Sequence, residues 1–247
     1  MDPSDTRRGP AHPCANFTRV TLSEDEARAQ TRREAAPSAL LVLIAFVAVA
    51  VVSQVEGWHL LNLSWWIWLV LAVPALLLTI DLLLSMKGRG VVRSRQAALF
   101  LLGVLVLANL FAVTILVAGL LTTDTKHLSG AELLFNAIAI WSANVIVFGL
   151  IFWEQDAGGP VARFLAQTRT EVDLAFPQDT DPLPGSSGWR PQAWDYLYVS
   201  LTNSIAFSPT DTLPRTLRAK AMMGLESAIA AFTVLLVFAR AVNVIAG

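Results

Sequence analysis

"RPQAWDYLYVSLTNSIAFSPTD", residues 190–211, decides how often this chain crosses a membrane. From Pro191 it reads as a helix of about 13–15 residues, roughly 20 Å long and too short to span a bilayer. It is also too apolar for a plain surface loop, with Trp194, Tyr196, Leu197, Tyr198, Val199 and Leu201 within it. Polar residues crowd its end: Thr202, Asn203, Ser204, Ser208 and Thr210. Two readings are open. In one, a half-length helix dips into the membrane and returns. Irregular backbone at that depth is tolerated only where protein or water surrounds it, so the polar side chains are expected to face a wet, protein-lined space. In the other, an interfacial linker feeds the last helix, with Ser208 as N-cap, Pro209 at the first helical position and Asp211 three residues after the cap.

The rest of the chain is built for lipid. Of its 247 residues, 55% are hydrophobic and 15% charged, too apolar a balance for an ordinary soluble domain. The apolar residues come in blocks of transmembrane length. Five are expected, near 39–55, 64–86, 97–121, 131–153 and 221–245. The fold class is therefore an all-α integral membrane protein with five transmembrane helices, plus a re-entrant helix between the fourth and fifth on the first reading. Net charge is −1, which gives no electrostatic case for nucleic acid. The single cysteine, Cys14, excludes an internal disulfide and a thiolate metal cluster.

Lys and Arg mark the cytoplasmic side of short loops. Sixteen lie in the N-terminal tail, the loop after the second block and the segment before the fifth; the other two loops hold Lys126 alone. The N-terminus is expected inside and the C-terminus outside. Arg outnumbers Lys 15 to 3, as in GC-rich bacterial genomes, so a bacterial inner membrane is the expected location. Trp58, Trp65, Trp66 and Trp68 are expected at the outer headgroup level and Trp153 at the inner one.

Residues 1–38 read as a cytoplasmic tail carrying a short helix, since Ser23 and Glu26 form a capping-box pattern. Residues 39–130 form a three-helix membrane region. Its second helix carries Pro74, which predicts a kink, and Asp81, expected to pair with Lys87 or Arg89 near the cytoplasmic end. Asn109 is expected to bond between helices. Asn136 and Asn144, eight residues apart on the fourth helix, share a face that packs on a neighbour or lines a water-filled cavity. Glu226 is expected to pair with Lys220, Arg218 or another helix.

From Tyr198 to Val242 the chain resembles the pore region of the potassium-channel superfamily. There a pore helix precedes Thr-Val-Gly-Tyr-Gly-Asp, a proline follows three residues later, and an inner helix comes next. Here Ala206, Phe207, Ser208, Pro209, Thr210 and Asp211 stand in the filter place, and Pro214 at the step of the proline. Leu225-Glu226 and Ala239-Arg240 stand where many bacterial members carry Leu-Glu and Ala-Arg. The chain also resembles an uncharacterised group of bacterial membrane proteins sharing the Phe-Ser-Pro-Thr-Asp signature. The resemblance implies a pore-like module over 131–247: outer helix 131–153, linker 154–190, re-entrant helix and altered filter 191–214, inner helix 219–246. It also implies a homotetramer.

The departures limit what carries over. A potassium filter turns backbone carbonyls to the ion, and its glycines allow the angles required. Ser208 and Thr210 hold those glycine positions, and Pro209 replaces the tyrosine. Ala230 stands where many channels place a hinge glycine. Potassium selectivity is not expected; Ser208, Thr210 and Asp211 are expected to line the constriction, with Thr202 and Asn203 buttressing it. Potassium channels present this loop outside, whereas the charge count puts it inside. Helices one to three lack an Arg ladder, so no voltage sensor is expected.

The expected function is thus a channel-like pore, conducting cations if Asp211 dominates the constriction. The alternative is a non-conducting, channel-related scaffold or sensor. Expected partners are the lipid bilayer, three further copies of the chain and inorganic ions. An enzyme is not expected: the three histidines, His12, His59 and His127, lie far apart, and neither a metal-ligand spacing nor a phosphate loop is present. No cofactor or metal is expected.

Overall fold

The computed structural model describes residues 23–57, 65–86, 95–121, 130–165, 172–180, 189–208 and 211–246. They are mostly helical. In chain order the helices are α1 (Glu24–Glu56), α2 (Trp66–Met86), α3 (Arg95–Leu121), α4 (Gly130–Gln155), α5 (Pro160–Leu165), α6 (Pro177–Thr180), α7 (Ala193–Ala206) and α8 (Leu217–Ala246). Two short strands, β1 (Leu174–Ala175) and β2 (Leu213–Pro214), pair antiparallel.

Three stretches among the described residues are long and apolar enough to cross a membrane: Asp25–Glu56, Arg95–Ala118 and Leu134–Gly158. The apolar stretch of α2 runs over Trp66–Ile80. These helices are apolar on both faces. Leu41, Ile44 and Val51 of α1, Val70 and Leu77 of α2, and Phe100 and Leu107 of α3 are exposed. The buried faces are rich in alanine, including Ala35, Ala39, Ala72, Ala75, Ala112 and Ala143. Small residues let helix backbones approach closely where lipid removes the usual hydrophobic drive between helices. Water-soluble helices show the reverse pattern, with a polar outer face.

α1 begins earlier than the hydropathy pattern suggests. Ser23 Oγ accepts from the Glu26 N–H at 3.3 Å, and Glu26 returns an acceptor to the Ser23 N–H at 2.8 Å. The capping box thus starts the membrane helix itself, and the chain runs unbroken through Pro37 to Glu56. The boundary expected at residue 38 has no counterpart. Good helix formers fill the interval, and Ala27, Ala35 and Ser38 are buried along it. Residues 1–22 lie outside the described residues, as do Lys87, Arg89 and the side chain of Asp81.

α4 is the hub: it packs against α1, α3, α7 and α8. Trp153 is 4% exposed and Trp68 6%, so both are core residues, not headgroup anchors. Trp66, 52% exposed, keeps the expected surface position.

Candidate functional site

The site is the hairpin formed by α7 and its return to α8. Its foundation lies at the end of α4. There the chain reverses through Ala157, Gly158 and Gly159, with φ of 49°, 82° and 100°. Glycine takes such angles freely; Ala157 does so at a cost of about 1–2 kcal/mol. Asp156, wholly buried, precedes the turn. Its Oδ1 accepts from the N–H groups of Asp173 and Leu174 at 2.8 and 3.1 Å, and its Oδ2 from the Tyr196 hydroxyl at 2.5 Å. One carboxylate therefore ties the end of α4 to β1 and to the first turn of α7. Arg163 lies 5.0 Å over the Tyr196 ring and donates to the Asp156 carbonyl at 2.6 Å, while Phe176 meets Tyr196 edge-on at 5.3 Å.

Asp173 continues the chain of bonds toward α8. Its Oδ1 accepts from the Thr216 hydroxyl at 2.5 Å, its carbonyl accepts from the Arg215 N–H at 2.8 Å, and its carboxylate pairs with Arg218. Thr216 then caps α8, accepting from the Ala219 N–H at 3.2 Å. The last helix therefore starts at Thr216. The Ser208-Pro209-Thr-Asp start anticipated as one reading is not used: Leu213 and Pro214 stay extended, paired with β1, and hold the chain straight until Thr216.

Tyr196→Phe is expected to remove one donor to a buried carboxylate and loosen α7 at its base. The expected loss is about 1.5–3 kcal/mol, read as a lower unfolding temperature in detergent, with secondary structure retained before the transition.

α7 lies in the groove between α4 and α8. A Cβ on Gly149 would sit 2.6 Å from Leu197 Cδ2 and 3.0 Å from Leu197 Cα, so glycine sets the α4–α7 approach. From Ser200 onward the buried face of α7 is polar: Ser200, Asn203 and Ser204 are each at most 1% exposed. All three meet Glu226 of α8, itself 0% exposed. Asn203 Nδ2 donates to Glu226 Oε2 at 2.6 Å and to the Met223 carbonyl at 3.0 Å. The Ser204 hydroxyl reaches Oε1 at 3.1 Å, and Ser200 Oγ touches both Oε1 and, at 2.6 Å, the Val145 carbonyl. Asn144 Nδ2 donates to the Glu226 carbonyl at 3.3 Å, and Asn109 Nδ2 to Asn144 Oδ1 at 3.1 Å. Four helices, α3, α4, α7 and α8, are thereby joined through one polar core.

These bonds fix the path of the hairpin. The Tyr196 hydroxyl reaches back to Asp156 at the base, Leu197 lies against Gly149, and Ser200 is level with Val145, four residues or about 6 Å further along α4. Asn203 is level with Met223 and Ser227 of α8, and then the chain climbs back to Thr216 beside Asp173. Both ends of 196–216 therefore lie at the same end of the bundle. Beyond Asn203 and Ser204, Ala206, Phe207 and Ser208 are exposed; Asp211, exposed, and Thr212, buried, lead into β2. Phe207 ends α7 with φ of 54°, a left-handed angle usually given to glycine. Pro209 and Thr210 lie outside the described residues.

Comparison with family models, with curated proteins and with solved structures finds no match.

This geometry corrects several expectations. Asn203 and Ser204 do not face a wet space; they turn inward to Glu226. Thr202 bonds to the Tyr198 and Val199 carbonyls of its own helix. Of the partners expected for Glu226 the structure shows another helix, since it meets neutral groups of α7, while Lys220 and Arg218 are exposed on α8. Ala230 is wholly buried within an unbroken α8. Asn109 does bond between helices, and Asn136 and Asn144 are both buried on α4. Asp156, Tyr196, Gly149 and Ser200 join the site without having been expected there. Only Ser200 carries a sequence signal, since with Asn203 and Ser204 it repeats at the spacing of one helix face.

Proposed function

We propose that this chain is a channel-like, pore-forming membrane protein in which α7 enters the bilayer from one side and the chain returns to that same side before α8. The observation that carries the proposal is the pinning of both ends of 196–216 at Asp156 and Asp173. The tip reaches at least about 14 Å along α8, nearly half the hydrocarbon thickness. Polar groups at such a depth require protein or water around them. Exposed Ser208 and Asp211 acquire that surrounding when several copies meet at an axis. Four copies, α2 and α8 as further spans, and a bacterial inner membrane complete the reading, with the hairpin on the cytoplasmic side by charge. Thr210 and Pro209 join the constriction in sequence. Potassium selectivity is not proposed, because no glycine stands at 208 or 210.

The tip also supports a second reading. Phe207 is 47% exposed there, and a ring of phenyl groups on the axis seals it. The protein then acts as a scaffold or sensor without conducting.

Planar-bilayer recording of the purified protein tests both. Conductance is expected, with the cation-to-anion permeability ratio falling several-fold in Asp211→Asn, since each copy loses one charge at a narrow, poorly screened site. A bilayer silent over a wide range of voltage, salt and pH favours the sealed form.

A further inference from the structure

We propose that Glu226 is a proton-binding site: the folded protein holds it as a neutral carboxylic acid whose proton is donated to Ser200 Oγ. The inference rests on counting donors and does not depend on whether the pore conducts. Ser200 Oγ lies 2.6 Å from the Val145 carbonyl and also touches Glu226 Oε1. A carbonyl can only accept, and a serine hydroxyl has one proton. If the carboxyl is ionised, one of the two approaches sets lone pair against lone pair. If Oε1 carries a proton, every group is satisfied. Oε1–H donates to Ser200, and Ser200 to Val145. Ser204 donates to Oε1, and Asn203 to Oε2 and to the Met223 carbonyl.

Charge supports the same state. The groups facing Glu226 are Ser200, Asn203 and Ser204 from α7, Asn144 and the Val145 carbonyl from α4, and the Met223 carbonyl of its own helix, with Asn109 of α3 behind Asn144. None is charged. Among the described residues no cation pairs with Glu226; Arg218 pairs with Asp173. A wholly buried carboxylate without a cation is the arrangement that proteins avoid by keeping the proton.

The proton gives the fold a consequence. Deprotonation turns Oε1 from donor to acceptor, so Ser200 must abandon Val145 or face the anion without donating to it. Either way one bond of the cluster is lost, that of Ser200 to Val145 between α7 and α4 or that of Ser200 to Glu226 between α7 and α8.

Infrared spectroscopy of the purified full-length protein at neutral pH tests this. The carbonyl stretch of a protonated acid is resolved from carboxylate bands. Wild type is expected to show it, Glu226→Gln to lose one such component, and Ser200→Ala to shift it. Loss of a carboxylate band in Glu226→Gln, with the acid region unchanged, overturns the proposal. Absence of the acid band from wild type overturns it as well, whether or not Glu226→Gln folds, because the amide keeps a donor for Ser200 and an acceptor for Asn203 but gives up the acceptor for Ser204.

Discussion

Glu226→Ala is expected to abolish recovery of a folded, monodisperse particle from detergent. The substitution leaves Ser204 without an acceptor and takes one of two acceptors from Asn203 and one of two partners from Ser200, all at most 1% exposed. Each buried polar group left unsatisfied costs about 1–3 kcal/mol. The vacated side-chain volume adds a further cavity cost of the same order. Together these approach or exceed about 5 kcal/mol, a large share of the 5–15 kcal/mol that holds a typical domain folded. The loss concentrates on α7, which hangs from α8 through Asn203, Ser204 and Ser227. Glu226→Gln, which preserves both a donor and an acceptor, is expected to retain most of the stability. The pair of variants is read by size exclusion and by thermal unfolding. Equal behaviour of Ala and Gln variants with wild type would mean that the polar core does not anchor the half-length helix.

Gly149→Ala is the second large effect. The added methyl meets Leu197 Cδ2 at 2.6 Å and the Leu197 Cα at 3.0 Å. The side-chain clash can relax by a rotamer change; the clash with the backbone cannot. α7 must move away from α4 by several tenths of an ångström, and Ser200, one turn on, then loses the Val145 carbonyl. Overpacking of this kind costs about 1–3 kcal/mol, offset in part by the helix propensity that alanine gains over glycine, about 1 kcal/mol. Gly149→Val adds branched bulk at the same place and is expected to prevent folding. Adding Leu197→Ala to Gly149→Ala is expected to restore part of the unfolding temperature and not all of it, because the added methyl still presses on the α7 backbone.

The helical class was legible in long apolar runs, where the pattern is insensitive to a few residues at either end; of the five spans expected, Asp25–Glu56, Arg95–Ala118 and Leu134–Gly158 are the described stretches long and apolar enough to cross. The half-length α7 was legible as well: Pro191 opens it, and its 14 residues fall short of a crossing. The start of α8 was not, because Ser208-Pro209 carries a good local start signal, yet Thr216 carries an equal one and tertiary bonds to Asp173 decide between them. The partners of Glu226 were hidden for a related reason. Lys220 and Arg218 are its near neighbours in sequence, but the carboxyl points across to α7. Asp156 and Tyr196 sit in segments with no periodicity to expose them. They meet across 40 residues only because a left-handed turn at Ala157–Gly159 sends the chain back. Gly149 resembles any glycine of an apolar helix until Leu197 is set against it.

On the proposed reading the chain from Trp194 to Leu213 goes into the bilayer and comes back out on the side it entered. Single cysteines at 194, 205, 208 and 213, in a Cys14→Ser background, can be tested with an impermeant thiol reagent applied to sealed vesicles of either orientation. The account predicts that 194 and 213 react from one and the same side, and that 205 is protected from both. Free reaction at all four positions from one side, or reaction of 194 and 213 from opposite sides, would contradict it.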